Sequence, residues 1–423
     1  MHRVDLSTRS RTVSSALQHR QAVLRIFCDP VPPECAMLQQ LSRRQWQRLL
    51  HWMDISGLAL YFLDRVTELQ WDQSIPQEAL SRLQQNLLDN TDRTAAMIRE
   101  STAIHRSFQK AGLSYATLKG FSLWPSSVPK LELRSQLDLD FLIAEKNSAA
   151  ARRLLEKRGY HLHAISGRTW EFKSNEPCSY SLKDLYKVMP QRSVELHLES
   201  ADAGSASLLD RTERLWFHGV FMPLLSPDDL FLGQGLHLYK HVCSEFSRTA
   251  HLLEFRRHIA KRYHDEAFWQ KLRARAEGNP RSPAALGLVI LLISKVMGEF
   301  APKALTCWTV DRLPDAARLW VDLYGRRSVF GDPPGNKLYL LLEREMERAG
   351  VQAKRPLRHA LLPMGLPQPI AHSAPNETLA MRVKRHGRQI RFIWSRLRFH
   401  TVEGIRYLRE SARWGRRLSD LTC

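Results

Sequence analysis

The sequence predicts an α+β protein in which a small mixed β-sheet core is flanked by N-terminal and C-terminal helical regions. Three observations carry this. Apolar residues recur at three- and four-residue steps before Ala111-Gly112 and again after Leu208, the period of amphipathic helices. Between Leu113 and about residue 200 the chain breaks into short apolar or alternating stretches separated by turn residues, the pattern of strands. A single helical stretch interrupts those strands. The 423 residues suffice for two to four domains at roughly 100–200 residues each. The same breaks divide the chain into a helical region (1–112), an α/β core (113–200), a second helical region (201–355), and a linker with basic helices (356–423).

In chain order, Leu38, Leu41, Trp46, Leu49, Leu50 and Met53 mark one helical face. Beyond Ser74-Ile75-Pro76, the stretch from about Glu78 to Lys110 lacks Gly and Pro in its interior and predicts one long helix. Strands are expected at Ser114–Leu118, Leu137–Ile143, Tyr160–Ile165, Thr169–Phe172, Cys178–Leu182 and Val194–Leu198. The helix among them spans Asn147–Arg158, with Gly159 at the usual stop position. From Leu208 onward the pattern is helical. Ser226-Pro227 is a cap followed by proline at the first helical position, and helices follow at 250–263, 266–276 and 283–297. An irregular region at Gly331–Lys337 precedes another helix, and 356–375 reads as a linker or lid.

Composition narrows the class. Hydrophobic residues make up 43% and charged residues 25%, which excludes fibrous and largely disordered chains. The longest apolar run, Pro283–Ile293, is too short to cross a bilayer and reads as a buried helix. The first thirty residues are charged throughout, unlike a signal peptide. The six cysteines form no C-x-x-C pair and read as buried, reduced thiols. A cytoplasmic protein is the expectation. The net charge is +20, and half of it, +10, lies between Arg382 and Arg417. Such clustering is the footprint of a polyanionic partner.

The segment that carries chemistry is Leu118-Lys119-Gly120 followed by Arg134-Ser135-Gln136-Leu137-Asp138-Leu139-Asp140-Phe141-Leu142-Ile143. Residues two apart in a strand face the same way, so Asp138 and Asp140 present their carboxylates together. Adjacent carboxylates repel unless a cation or a proton intervenes. Mg²⁺, which keeps waters and recruits phosphate oxygens, suits two such ligands. The alternation in Ser193-Val194-Glu195-Leu196-His197-Leu198-Glu199 puts Glu195, His197 and Glu199 on one face. A second strand can thus add a third carboxylate, the set that two-metal phosphoryl or nucleotidyl transfer needs. Gly120 would admit backbone N–H groups close to phosphate oxygens. Lys119 and Arg134 could neutralise phosphate charge; a solvated strand end for Lys119 and an ion pair with Asp138 for Arg134 are the alternatives.

These motifs in this order, with Gly159-Tyr160 closing the intervening helix, resemble the uncharacterised bacterial nucleotidyltransferase family of the DNA polymerase beta-like superfamily, over roughly Trp46–Ile259. The resemblance implies that Asp138, Asp140 and Glu195 are catalytic and metal-binding, and that Lys119, Gly120, Arg134 and His197 bind nucleotide. Phe121 stands where the broader superfamily has a serine after the glycine. The implied reaction moves an NMP from an NTP such as ATP to an acceptor, with Mg²⁺ (two ions, or Mn²⁺) and release of pyrophosphate. The acceptor could be a small molecule, a sugar, a peptide or RNA. A phosphotransferase on the same metal site, or an inactive fold that binds nucleic acid or membrane, is the alternative.

Two further features are weaker. His237 and His241 share one side of a helix at zinc-chelating spacing, but the Glu of H-E-x-x-H is absent, and metal sites need more ligands. A structural or hydrogen-bonding role is favoured, and Glu245, Arg248 and Glu254 nearby could line the same cleft. The basic tail interleaves Ile390, Phe392, Ile393, Trp394, Leu397 and Phe399 with its arginines. It suits an anionic surface, although a surface helix normally packs its apolar stripe on the protein, and that reading is favoured.

Overall fold

The computed structural model describes residues 6–174, 184–189, 191–199, 207–245, 248–279, 281–331, 336–348, 350–351, 357–361 and 378–422. The expected strand Cys178–Leu182 lies outside these residues, as does most of the 356–375 linker. The chain divides into two compact units, one of Gln84–Gln234 (with Ala371–Asn376), the other of Met1–Leu83, Gly235–Ile370 and Glu377–Cys423.

The first unit is built on a seven-stranded mixed sheet. Its strands are β1 (Tyr115–Leu118), β2 (Leu139–Ala144), β3 (Tyr160–Ser166), β4 (Thr169–Ser174), β5 (Ser193–Glu199), β6 (Glu213–Phe217) and β7 (Val220–Leu224). Their order is β3-β4-β5-β2-β1-β7-β6. Strand β2 is central, antiparallel to β1 and parallel to β5. One face is apolar: Phe141, Ile143, Val194, Leu196, Phe172 and Met222 pack with Ile104 and Phe108 of the Gln77–Lys110 helix and Leu155 of the Ser148–Lys157 helix. Gly159 follows the latter helix at φ 84°, a left-handed stop that glycine adopts without a Cβ clash. Behind the sheet, buried His105 lies 2.8 Å from the Tyr115 hydroxyl, and burial drives its pKa down to about 4.

Strands β6 and β7 correct the expectation of helix from Leu208 onward. Leu215, Phe217, Val220 and Met222 face the core, whereas the alternating outward positions hold Trp216 and Phe221, both more than half exposed. With apolar residues on both sides of the hairpin, the period-two signal is erased. His218 and Gly219 make the turn between the two strands, both with positive φ, 43° and 83°, as a type I′ hairpin turn requires. Helix resumes at Pro227, where the Ser226 hydroxyl accepts from the Asp229 N–H.

The second unit is helical among its described residues. Ser42 and Gln45 form a reciprocal capping box that starts Arg43–Ser56. The apolar run lies in Arg281–Met297 and is buried from Ala285 to Ile290. Among the described cysteines, Cys28 and Cys35 are buried as expected, while Cys307 is exposed. The basic tail is one 44-residue helix, Leu379–Thr422. Tyr407 and Trp414 are buried, but Ile390, Trp394 and Leu397 are 54–66% exposed, so the expected packing of the stripe fails over these residues. No helix among the described residues is long and apolar enough to cross a membrane.

Candidate active site

The alternation that buries Phe141 and Ile143 sends Asp140 to the opposite face of β2. In the parallel β2–β5 ladder Asp140 stands directly opposite Glu195, and Leu142 opposite His197. Residues opposite each other share a face, so the two carboxylates and the imidazole converge. Ligand atoms of Asp140, Glu195 and His197 all lie within 4.8 Å of one another, a separation one ion can bridge. His197 Nε2 is 2.9 Å from Asp140 Oδ1 and 3.3 Å from Glu195 Oε2. Its Nδ1 lies 3.1 Å from the Thr169 hydroxyl, which can donate or accept; the carboxylates only accept, so Nε2 carries a proton toward them. Lys119 Nζ completes the cluster, 2.6 Å from Asp140 and 3.8 Å from Glu195.

The electrostatics follow from this crowding. Burial favours the neutral form of Asp140, but the His197 hydrogen bond and the Lys119 charge outweigh it and hold the carboxyl at about 2. Asp138, half-buried just before β2, has less compensation. Burial, then the negative charges of Asp140 and Glu195, push its pKa up to about 6, against the smaller pull of Lys119 and Arg134. Burial lowers the pKa of both His197 and Lys119, yet the carboxylates leave both raised. Asp140 is thus kept ionised by its two cationic neighbours, whereas burial and the neighbouring carboxylates work against ionisation of Asp138.

The approach to β2 is clamped from several sides. The Asn90 amide donates to the Glu132 and Arg134 carbonyls at 2.6 and 3.3 Å, and Gln136 Nε2 donates to the Asp138 carbonyl at 2.7 Å. Gly120 sits against that glutamine: a Cβ there would fall 2.3 Å from Gln136 Nε2. Lys119 itself has φ 48°, a left-handed conformation that non-glycine residues hold only when neighbours enforce it. The Ser122 side chain and backbone N–H both bond the Lys119 carbonyl, at 2.7 and 2.8 Å.

Of the residues singled out from sequence, the structure brings together Asp140, Glu195, His197 and Lys119, with Asp138, Arg134 and Gly120 adjoining. Glu199 shares their face but accepts from the Ser207 hydroxyl and the Leu208 N–H at 2.7 and 2.6 Å. Gln136, Thr169 and Asn90 were not foreseen. Thr169 could have been found, because Thr169, Glu171 and Lys173 alternate with Trp170 and Phe172. A cavity of about 320 Å³ opens on the other side of β2, lined by Arg93, Glu100, Leu137, Leu139, Tyr160 and Arg192 among others; it does not include the carboxylates. In the second unit, Glu254 accepts from the Tyr61 hydroxyl at 3.0 Å and Glu245 pairs with Arg396 at 2.7 Å.

A mixed sheet with carboxylates converging from parallel neighbouring strands, and a lysine–glycine turn ending the adjoining strand, defines a nucleotidyltransferase-like core. The chain belongs to the uncharacterised nucleotidyltransferase family, whose model matches residues 42–298, more than half of its length. Among solved structures it is similar to an antigenic nucleotidyltransferase-like protein from Paracoccidioides brasiliensis, at 12% identity and a TM-score of 0.29, over 51% of this chain and 97% of that one. No curated protein matches.

Proposed function

We propose that the protein is a metal-dependent nucleotidyltransferase that moves an NMP from an NTP such as ATP to an acceptor hydroxyl and releases pyrophosphate. The observation that carries this reading is the register pairing of Asp140 with Glu195, with Asp138 two residues before Asp140 and Lys119-Gly120 at the end of β1. The donors fit Mg²⁺ or Mn²⁺: an all-carboxylate set suits a hard cation, and Asp138, Asp140 and Glu195 stand close enough for Asp140 and Glu195 to add to the burial that raises the Asp138 pKa. Asp138, Asp140 and Glu195 would hold the ions. When bound, the ions neutralise phosphate charge and make the acceptor hydroxyl more acidic.

The chain's own residues do the rest. His197 holds the Asp140 carboxylate in place through Nε2, with Thr169 fixing the ring. Asp138, protonated near pH 6 in the free protein, is ionised at neutral pH and ready to ligate. Gly120, lacking a side chain, makes room for the Gln136 amide against the β1 turn, and the backbone N–H groups of that turn would meet phosphate oxygens. Lys119, beside Asp140 and Glu195, and Arg134 would neutralise charge on the phosphates.

The test is product analysis with α-labelled and γ-labelled NTPs, Mg²⁺ or Mn²⁺, and acceptor pools of small molecules, sugars, peptides and RNA. Pyrophosphate together with a nucleotidylated acceptor, both absent in Asp140→Asn, is the expected result. A nucleoside diphosphate with a phosphorylated acceptor would replace this reading by phosphotransfer. No turnover of any NTP would favour a binding protein that keeps only the fold.

A further inference from the structure

We infer that His237, His241 and His251 form a second metal site, selective for a transition ion such as Zn²⁺. His237 and His241 lie one helical turn apart on Pro227–Val242, and His251 comes from the first turn of Ala250–Lys261. The sequence offered two ligands; folding supplies the third. Nitrogen atoms of all three lie within 4.8 Å of one another, and none of the residues is fully buried. An ion held tetrahedrally by imidazoles at about 2.0–2.1 Å sets its ligand atoms about 3.3 Å apart. The His237 and His241 Nε2 atoms, at 3.1 Å, already stand at that spacing. The His251 ring centroid is 4.9 Å from that of His241 and 5.6 Å from that of His237. Three neutral imidazoles favour Zn²⁺, Cu²⁺ or Co²⁺ over Mg²⁺, and three protein ligands leave a fourth position for water or another ligand.

The test titrates Co²⁺ into chelator-treated full-length protein and reads the visible bands of tetrahedral cobalt, with Zn²⁺ as competitor. One tetrahedral ion per chain is expected, displaced by Zn²⁺ and unaffected by Asp140→Asn with Glu195→Gln. His251→Gln should weaken binding at least ~100-fold, since losing a ligand exceeds the loss of a second-layer partner; His237→Gln serves if the first variant melts early. Absence of tetrahedral cobalt in the wild type overturns the site. So does binding unchanged in the histidine variants, or lost only with the carboxylates.

An independent observation concerns the tail helix. Leu379, Val383, Ile390, Trp394, Leu397, Ile405 and Leu408 are all exposed, and their spacings of three, four, seven and eight return to one line of an α-helix. That line runs about 45 Å at 1.5 Å per residue. Beside it runs a cationic row in which Lys384, Arg391, Arg398 and Arg409 each follow a residue of the stripe. Tyr407 and Trp414, which are buried, lie on a different side of the helix. We propose that this stripe docks on an anionic phospholipid surface, lying in the interface. Nucleic acid would use the cations but not a continuous aliphatic line, and a second copy of the helix would bring like charges together.

Flotation of the full-length protein with phosphatidylcholine vesicles, with or without phosphatidylglycerol, tests this. Binding only to the anionic vesicles is expected, with a blue shift of tryptophan emission. Ile390→Ser with Trp394→Ser and Leu397→Ser should reduce it at least tenfold, and these exposed changes should leave the melting temperature in place. No vesicle binding, or binding undiminished in that variant, overturns the proposal. So would RNA binding lost in the same variant, or a concentration-dependent dimer that covers the stripe.

Discussion

The two faces of the central sheet come from the same strands and obey opposite rules. On one face Phe141, Ile143, Val194 and Leu196 are essentially inaccessible and belong to one apolar cluster. On the other, one residue along in each strand, Asp140, Glu195 and His197 crowd together with Lys119. The apolar face gains free energy by excluding water, roughly 25 cal/mol per Å² buried. The polar face mixes signs: His197 and Lys119 favour ionised Asp140, while burial and the neighbouring carboxylates disfavour ionised Asp138.

The largest expected effect separates the faces by activity. Asp140→Asn should lower transfer on the order of 10³-fold, as losing a preorganised charge at a reacting centre does, read as pyrophosphate release. Phe141→Ala, the adjacent residue, should instead cost about 3–5 kcal/mol of stability, read by denaturant unfolding. Equal loss of stability in both variants would erase the distinction between the faces.

Asp138→Asn sharpens the comparison through pH. Because the folded protein holds the Asp138 proton up to about pH 6 while the unfolded chain releases it near ~4, wild-type stability falls as pH rises between these values. Asn abolishes that loss. The variant should therefore be more stable than wild type above pH 6, on the order of 2 kcal/mol, with the gain fading below pH 4; transfer activity should be lost. Asp140 runs the other way, its lowered carboxyl making stability fall as pH drops from about 4 toward 2.

Smaller effects probe the histidine. The raised pKa of His197 contributes stability at low pH that is lost as pH rises through its folded value. His197→Gln should remove roughly 1–2 kcal/mol near pH 5 and less at pH 8, by thermal unfolding at both. Thr169→Val, which removes only the contact at Nδ1, should cost about 1 kcal/mol or less and lower activity modestly.

The sequence determined which residues face which way. Alternation in 137–143 and 193–199 placed Asp140, Glu195 and His197 on one face before any coordinates, although Asp138 falls just ahead of the strand that was expected to hold it. Period-two patterns are local and survive in the linear chain. The β6–β7 hairpin escaped because Trp216 and Phe221 are apolar and exposed, which removed the contrast that alternation needs. Asn90 escaped because its partners, the Glu132 and Arg134 carbonyls, are brought to it by folding; Gln136 escaped because its bond to the Asp138 carbonyl two residues on follows no strand or helix period. Tertiary structure alone decided that β5 lies beside β2 in the register that pairs Glu195 with Asp140, that Lys119 turns into the carboxylates, and that His251 joins His237 and His241. Each of these is a meeting of residues distant in sequence, and only packing of the whole unit sets such distances.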